Sequence, residues 1–387
     1  MTDNTRVRLN HDMPDQVPQS LPTLVSPDGA VILRPYQPHD VGRIVEMIGD
    51  PEFARWTNTP VPFTDSDGRA FLVATAARVS SGELLAWAIE AEIEGVRRLC
   101  SCLRIRLIGD GRGDISYGLH PEGRGRGLVR AAGRLALDWV FDAVGLEVVT
   151  WNCVVGNWAS RWTALGLGFR VGGVARKAYA RRGELVDVWI GEVTRDDSRE
   201  SAAPPRQPVL TGPGVRLRPF AERDAPRIAE ACNDEATQHW VSILPRPYRL
   251  SDAEGFIEWC REGKATGQEW TWCVAGTDSD ECLGAITLFG LAARDGAGEI
   301  GYWAHPDARR RGLTSVAARL VADFALGPGP AQTVRLFVAE DNHASQRVAE
   351  RTGATRVGTL PAYSVVRDGT RTDMILFLRG RQPAADR

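Results

Sequence analysis

Two stretches of this 387-residue chain carry the residue types best suited to hold an anion. In Arg124-Gly125-Arg126-Gly127 and in Arg309-Arg310-Arg311-Gly312, arginines and glycine stand between an apolar strand-like segment and an apolar helix-like one. Each part of such a turn favours negative charge. Arginine offers paired donors to phosphate oxygens, and glycine lets a ligand approach the backbone. The first N–H groups of the following helix lack partners within the helix and lie at its positive end. The expected ligand is a diphosphate. The glycines spell neither G-x-x-x-x-G-K-[ST] nor G-x-G-x-x-G, which disfavours the nucleoside-triphosphate and dinucleotide classes.

The two turns are copies of one another. Arg124, Gly127 and Leu128 fall on Arg309, Gly312 and Leu313, and Tyr117, His120 and Pro121 fall on Tyr302, His305 and Pro306. The match extends upstream, where VILRPYQPHD (Val31 to Asp40) falls on VRLRPFAERD (Val215 to Asp224), and downstream, where Asn157 and Ser160 fall on Asn342 and Ser345. A repeat kept in order over a whole unit sets domain limits without a structure. The expected layout is a mobile segment over 1–24, a domain over 25–195, a linker over 196–213, a domain over 214–380 and a mobile tail over 381–387. The linker is expected from its Pro, Ser and charge, which bury too little apolar surface to fold.

Within each unit the elements needed to position the turn follow in order. The first copy predicts a strand at GAVILRPY, helices at HDVGRIVEMIGD and DSDGRAFLVATAARVSSG, then two antiparallel strands and the strand DISYGLH, which ends at Pro121. After the turn, Leu128, Ala131, Leu135 and Trp139 share one face of a helix. A strand, a short helix and a final hairpin close the unit. The fold class is therefore α/β (α+β), each unit a mixed, mostly antiparallel sheet flanked by helices.

Composition narrows the function. A formal charge of −2 argues against a nucleic acid or an anionic membrane surface as partner. Seven scattered cysteines form neither a disulfide framework nor a metal-binding pair, so no metal is expected. The N-terminal stretch lacks an apolar core and no run approaches 18 apolar residues, which points to the cytoplasm. Trp56/Trp240 and Trp87/Trp272 recur and read as core, whereas Trp158, Trp162, Trp270 and Trp303 stand in one copy each and are candidates for an acceptor pocket. His120 and His305 precede proline and read as residues that end the strand.

Taken together, the opening LRP strand with its Asp, the strands EIGYW and DISYG, the R-x-x-G turn and N-x-x-S followed by glycine give each unit a resemblance. Each resembles the GNAT superfamily of acyl-CoA-dependent N-acyltransferases, most closely the branch that acetylates N-terminal amines of ribosomal proteins and its relatives acting on antibiotics. The family pattern ends in a small residue where this chain has Val129 and Thr314, and tyrosines common in relatives are replaced by Ala164 and Ala349. The resemblance implies that Glu299 and Asp114 take the amine's proton, and that Ser345 and Ser160 serve the leaving sulfur. It places Asn342 and Asn157 on the pantetheine arm, and Arg309, Arg310, Arg311, Gly312, Arg124, Gly125, Arg126 and Gly127 on the diphosphate. Each has a plainer reading beside it: a solvated strand-end carboxylate for the acids, a helix cap for the Asn and Ser. An oxyanion donor is expected at a bulge near Tyr302 to Ala304.

The implied activity is transfer of an acyl group from acetyl-CoA or another acyl-CoA to a primary amine of a peptide, protein N-terminus or small antibiotic-like molecule, by direct attack in a ternary complex. An acyl carrier protein is a possible alternative donor. The second unit, with the closer match around Glu299, is expected to catalyse. The competing function is a non-catalytic acyl-CoA sensor or interaction module.

Overall fold

The computed structural model describes residues 21–198, 200, 201, 203, 206–291 and 295–381. It divides into two units, Met1–Ala203 and Pro204–Arg387. The expected mobile ends fall outside the described residues as far as residue 20 and from residue 382 onward. Residues 21 and 22 are packed instead: Leu21 is buried, and the Pro22 carbonyl accepts the indole N–H of Trp87.

In the first unit the strands are β1 (Leu24–Val25), β2 (Val31–Arg34), β3 (Leu84–Ile93), β4 (Val96–Gly109), β5 (Arg112–Leu119), β6 (Val148–Val154), β7 (Arg170–Arg181) and β8 (Glu184–Thr194). They form one sheet in the order β1-β2-β3-β4-β5-β6-β8-β7. The helices are α1 (Val41–Ile48), α2 (Pro51–Trp56), α3 (Asp65–Ser80), α4 (Leu128–Trp139) and α5 (Trp158–Gly166).

The second unit repeats this plan. Its strands are β9 (Leu210–Gly212), β10 (Val215–Arg218), β11 (Glu269–Gly276), β12 (Cys282–Phe289), β13 (Ala297–Ala304), β14 (Thr333–Ala339), β15 (Thr355–Val365) and β16 (Arg371–Gly380). They are ordered β9-β10-β11-β12-β13-β14-β16-β15. Its helices are α6 (Ala225–Asn233), α7 (Glu235–Trp240), α8 (Leu250–Thr266), α9 (Leu313–Leu326) and α10 (His343–Arg351). Leu210–Gly212 lies in the stretch expected to be linker, yet it pairs with Val215–Leu217, because Leu210 packs against the core under α9.

Among the described residues only β5–β6 and β13–β14 run parallel, and the other strand pairs are antiparallel. That follows from the connections, since α4 and α9 carry the chain back across the sheet as right-handed crossovers do. The core on the α4 side holds Trp87, Trp151, Phe141 and Phe169, all at or near full burial. Its counterpart under α9 holds Trp272, Ile286, Val321 and Phe377. On the opposite sheet face, α6 and α8 cover a smaller cluster with Phe220, Ile228, Ile257 and Cys273. Trp87 and Trp272 are thus core residues, as their recurrence implied, while Trp56 and Trp240 are half-buried.

The repeated LRP motif with its Asp is an ion pair that joins the sheet to the first helix. Arg34 grips both oxygens of Asp40 at 2.8 and 2.9 Å, and Arg218 does the same to Asp224 at 2.8 and 2.9 Å. The second pair is the deeper, with side chains 8% and 3% exposed, and Arg218 also donates to Asp280 at 2.8 Å. Removing one partner of a buried pair strands the other charge, at a cost of about 3–5 kcal/mol. Arg218→Met should lower the denaturant stability of the second unit by that order. Combining it with Asp224→Leu should recover much of the loss, and an unchanged midpoint in the single variant would refute the assignment.

Candidate functional site

Each unit opens where its two parallel strands part. In the second, β13 and β14 are in register from Ala297/Thr333 to Glu299/Arg335 and no further. Beyond that point β13 stays on β12 through Ala304, while β14 stays on β16 through Ala339. In the first, the parallel register ends at Ile115/Trp151, with β5 held by β4 to Leu119 and β6 by β8 to Val154. The result is a wedge in the middle of each sheet. Its edges carry backbone N–H and C=O groups that the ladder no longer pairs, a costly arrangement unless a ligand or water meets them.

The arginine-glycine turn lies at the end of the parted strand. A short turn at Pro121–Gly123 or Pro306–Ala308 leads into it, capped by the Nδ1 of His120 or His305, which accepts from residue 122 or 307 at 3.2 Å. Both histidines are therefore strand-ending turn residues. Gly127 and Gly312 cap the following helix with φ of +72° and +76°, a left-handed conformation that disfavours any side chain. Nothing crowds Gly312, and only the tip of Arg130 approaches Gly127, so conformation rather than space calls for glycine. Among the described residues, the N–H groups of Arg126 to Val129 and of Arg311 to Thr314 find no acceptor. Together these amides form a concavity of unpaired donors at a helix N-terminus, an arrangement of the kind that suits an anion.

The guanidinium groups divide. Arg124 is committed to Asp50, the N-terminal cap of α2, and Arg309 to Asp234 and to the Thr237 hydroxyl of α7. These are side chains expected on a diphosphate; here they lie against the acidic caps of the neighbouring helix. Arg126 bends its Nε back to the Glu122 carbonyl at 3.0 Å. Arg310 and Arg311 are exposed without an ion-pair partner among the described residues. Arg310 stands at φ +62°, where the first copy has Gly125 at +75°. Val129, bulkier than the expected small residue, turns into the core and leaves the turn uncovered.

On the far side of the wedge, Asn157 and Asn342 are helix caps. Their Oδ1 atoms accept from the amides of Ser160 at 3.2 Å and Ser345 at 3.0 Å, which sets the position of each serine. The serine side chains reach a partner that sequence reasoning noted only as a repeat. Tyr302 Oη lies 2.8 Å from Ser345 Oγ, and Tyr117 Oη lies 3.1 Å from Ser160 Oγ. Burial pushes the Tyr302 phenol up to about 12, against the lowering effect of the Ser345 hydrogen bond, so at neutral pH it stays protonated. Burial likewise raises Tyr117. Ser160 also accepts the Trp151 indole at 3.2 Å, whereas the second unit has Leu336 at the matching position. The invariant spacing Tyr302 to Ser345 and Tyr117 to Ser160 was the available signal. Ala164 and Ala349 are buried and offer no hydroxyl.

The two carboxylates differ. Glu299, at the closed end of the wedge, is 36% exposed and lies 3.4 Å from Arg335. Asp114 is 20% exposed; it accepts from the Thr150 hydroxyl at 3.1 Å and the Asn152 amide at 3.2 Å, with Arg106 at 3.9 Å. Burial moves the Asp114 carboxyl up, against these three partners. The bulge expected near Tyr302 to Ala304 is absent: the β12–β13 register runs unbroken from Phe289/Glu299 to Gly284/Ala304. The backbone groups open instead on the β14 side, because the strands separate there. Trp270, a candidate for the acceptor pocket, is 4% exposed and packs against Phe324, so it belongs to the core; Trp303 is half-buried.

Glu230, His305 and Asp307 place ligand-type atoms within 4.8 Å of one another. Arg227 Nη1 already lies 3.3 Å from Glu230 and 3.1 Å from Asp307, and the first unit repeats the set as Arg43, Glu46, His120 and Glu122. A resident guanidinium supplies the positive charge these acids face, and the cluster ties α6 to the turn.

The sequence profile described as Acetyltransferase (GNAT) domain matches residues 30–170 and again 215–355. The chain belongs to the GNAT acetyltransferase family. It carries two GNAT domains in tandem, each with an eight-stranded mixed sheet. Among its relatives, the uncharacterized N-acetyltransferase YoaA of Bacillus subtilis is 27% identical over 172 residues, covering 44% of this chain and 95% of YoaA. Of solved structures, Mycobacterium smegmatis RimJ in complex with CoA-disulfide is 22% identical, covers 47% of this chain and 90% of RimJ, and gives a TM-score of 0.41. A putative ribosomal-protein-serine acetyltransferase from Vibrio cholerae is 18% identical, with 45% and 98% covered and a TM-score of 0.40. No described helix is long and apolar enough to cross a membrane.

In this GNAT chain the Arg309–Asp234 pair makes a pH prediction. The Arg309 guanidinium beside Asp234 holds its carboxyl below the usual aspartate range. A depressed carboxyl contributes stability above its unfolded pKa, about 4, and loses it as pH falls. Arg309→Met should therefore be less stable than the parent at pH 7, and the gap should close below about pH 4. A gap independent of pH in thermal melts would show that Asp234 does not depend on Arg309.

Proposed function

We propose that the chain transfers an acyl group from acyl-CoA to a primary amine by direct attack, with the second unit as the catalytic one. The observation that carries this reading is the parting of β13 from β14 after Glu299, beside a turn whose amides from Arg311 to Thr314 have no acceptor. A thioester donor fits both features. Its diphosphate suits the free amides and the unpaired Arg310 and Arg311. The amides of its pantetheine arm suit the unpaired strand edges.

The chemistry then needs three groups. Glu299 accepts a proton from the amine, whose nitrogen attacks the thioester carbonyl. The carbonyl oxygen takes up negative charge and is met by backbone N–H groups of the parted strand. As the carbon–sulfur bond breaks, the Ser345 hydroxyl donates a hydrogen bond to the departing thiolate and keeps its own proton, Tyr302 holds that hydroxyl in place, and the proton taken up by Glu299 is released to water, from which the thiolate is protonated. Ser345 is favoured over Ser160 because no indole competes for its oxygen. Asp114, Ser160, Asn157 and the first turn form the corresponding set in the other unit.

Calorimetry should show CoA binding to the full chain, and acetyl-CoA with an amine panel should release thiol. Binding without release on any amine would favour a sensor over an enzyme. Glu299→Gln should cut kcat by about a hundredfold while leaving acyl-CoA binding nearly intact. Ser345→Ala should have a similar effect on kcat, while Tyr302→Phe should lower kcat by about tenfold and leave the KM for acetyl-CoA nearly unchanged. If Tyr302→Phe alters KM alone, its hydroxyl has no part in the chemical step.

A further inference from the structure

The face of β13 that carries Glu299 also carries Gly301 and Trp303, since alternate residues of a strand share a side. Four aromatic rings line this face. Phe256 and Trp259, one turn apart on α8, stack with centroids 5.7 Å apart and planes 23° apart. Trp259 continues to Phe289 at 6.5 Å, and Phe256 to Trp303 at 6.5 Å. Phe289 sits directly opposite Glu299 in the β12–β13 ladder. The missing side chain of Gly301 makes room for it, because a Cβ there would come within 3.1 Å of the Phe289 ring. Trp259 is 41% exposed, an uncommon state for the largest apolar side chain, and it closes the row on the solvent side.

The other unit has the same backbone with different chemistry. The positions matching Trp259, Phe289 and Trp303 are Ala74, Arg106 on the residue opposite Asp114, and Gly118, whose space is filled by Phe53. Arg104 adds a second cation on that face, over the Phe71 ring at 5.7 Å. Duplication kept the wedge and the turn in both copies, but only the second built an aromatic row beside its carboxylate.

Resting on the acyl-transfer reading above, the geometry points to an acceptor for the second unit that is a primary amine joined by a short arm to an aromatic ring. The ring lies against Trp259 and Phe289, and the amine faces Glu299. Flat rings gain from offset or edge contacts beyond the area they bury. The acid one residue from the ring row then discriminates for a cation at the end of the arm. An aliphatic amine of similar reach meets the same carboxylate but leaves the rings uncovered.

The test uses the full chain with 2-phenylethylamine and n-butylamine as probes. Calorimetry at saturating CoA measures binding, and thiol release with acetyl-CoA measures turnover. Phenylethylamine should bind, and be used in kcat/KM, about tenfold better than butylamine. Trp259→Ala should reduce that preference to within about twofold, and Trp259→Leu, which keeps an apolar side chain at this exposed site, should do the same. Equal binding of the two amines by the parent chain, or a preference that survives both variants, would overturn the inference. Transfer to amines without ring preference defeats this inference alone. A Trp259-dependent ring preference in binding with no transfer to any amine defeats the acyl-transfer reading and leaves the aromatic site standing.

Discussion

Each unit depends on the point at which two parallel strands stop sharing hydrogen bonds. A strand in mid-sheet normally has both edges satisfied, and leaving one unpaired is expensive. Here the expense is tolerated because each parted strand keeps its other neighbour: β13 rests on β12 to Ala304 and β14 on β16 to Ala339. The wedge is therefore held open by two intact ladders that pull in different directions. Everything ascribed to the site stands around that opening: the carboxylate at its closed end, the turn at the tip of one arm, and the capped serine beyond the other.

Rigidity at the rim has its own sources. The Asn cap fixes the serine amide, the tyrosine reaches from the parted strand to the serine hydroxyl, and the histidine caps the turn. The arginine expected to bind anion instead fastens the turn to α2 or α7 through an acidic cap. Among the described residues, the backbone N–H groups of the turn stay unpaired beside it. Side-chain charge from Arg310 and Arg311 adds to a site whose geometry the glycine cap creates.

Duplication allows the two copies to diverge where the shared plan is least constrained. Core positions that pack the sheet against α4 or α9 keep their character, as with Trp87 and Trp272, and the Arg–Asp pairs at Asp40 and Asp224 are kept whole. The sheet face beneath α3 and α8 shows a contrast, an aromatic row in one unit and arginines in the other. Trp259 stands at the solvent edge of that face, where a side chain can change without unfolding the domain.

The order of elements, the duplication, the family and the position of the arginine-glycine turn were legible in the chain because they are local: glycine needs, cap residues and apolar periodicity act within a few residues, and a repeat exposes them twice. The serine and asparagine were legible for the same reason, as a cap motif four residues long. What the tertiary structure decided was every partnership across the sheet. The destination of the Arg124 and Arg309 side chains, the Tyr302–Ser345 contact over 43 residues, the unbroken β12–β13 register and the burial of Trp270 all depend on which strands lie side by side. Such contacts join segments whose separation along the chain carries no signal in composition or period, so only the packed fold could set them.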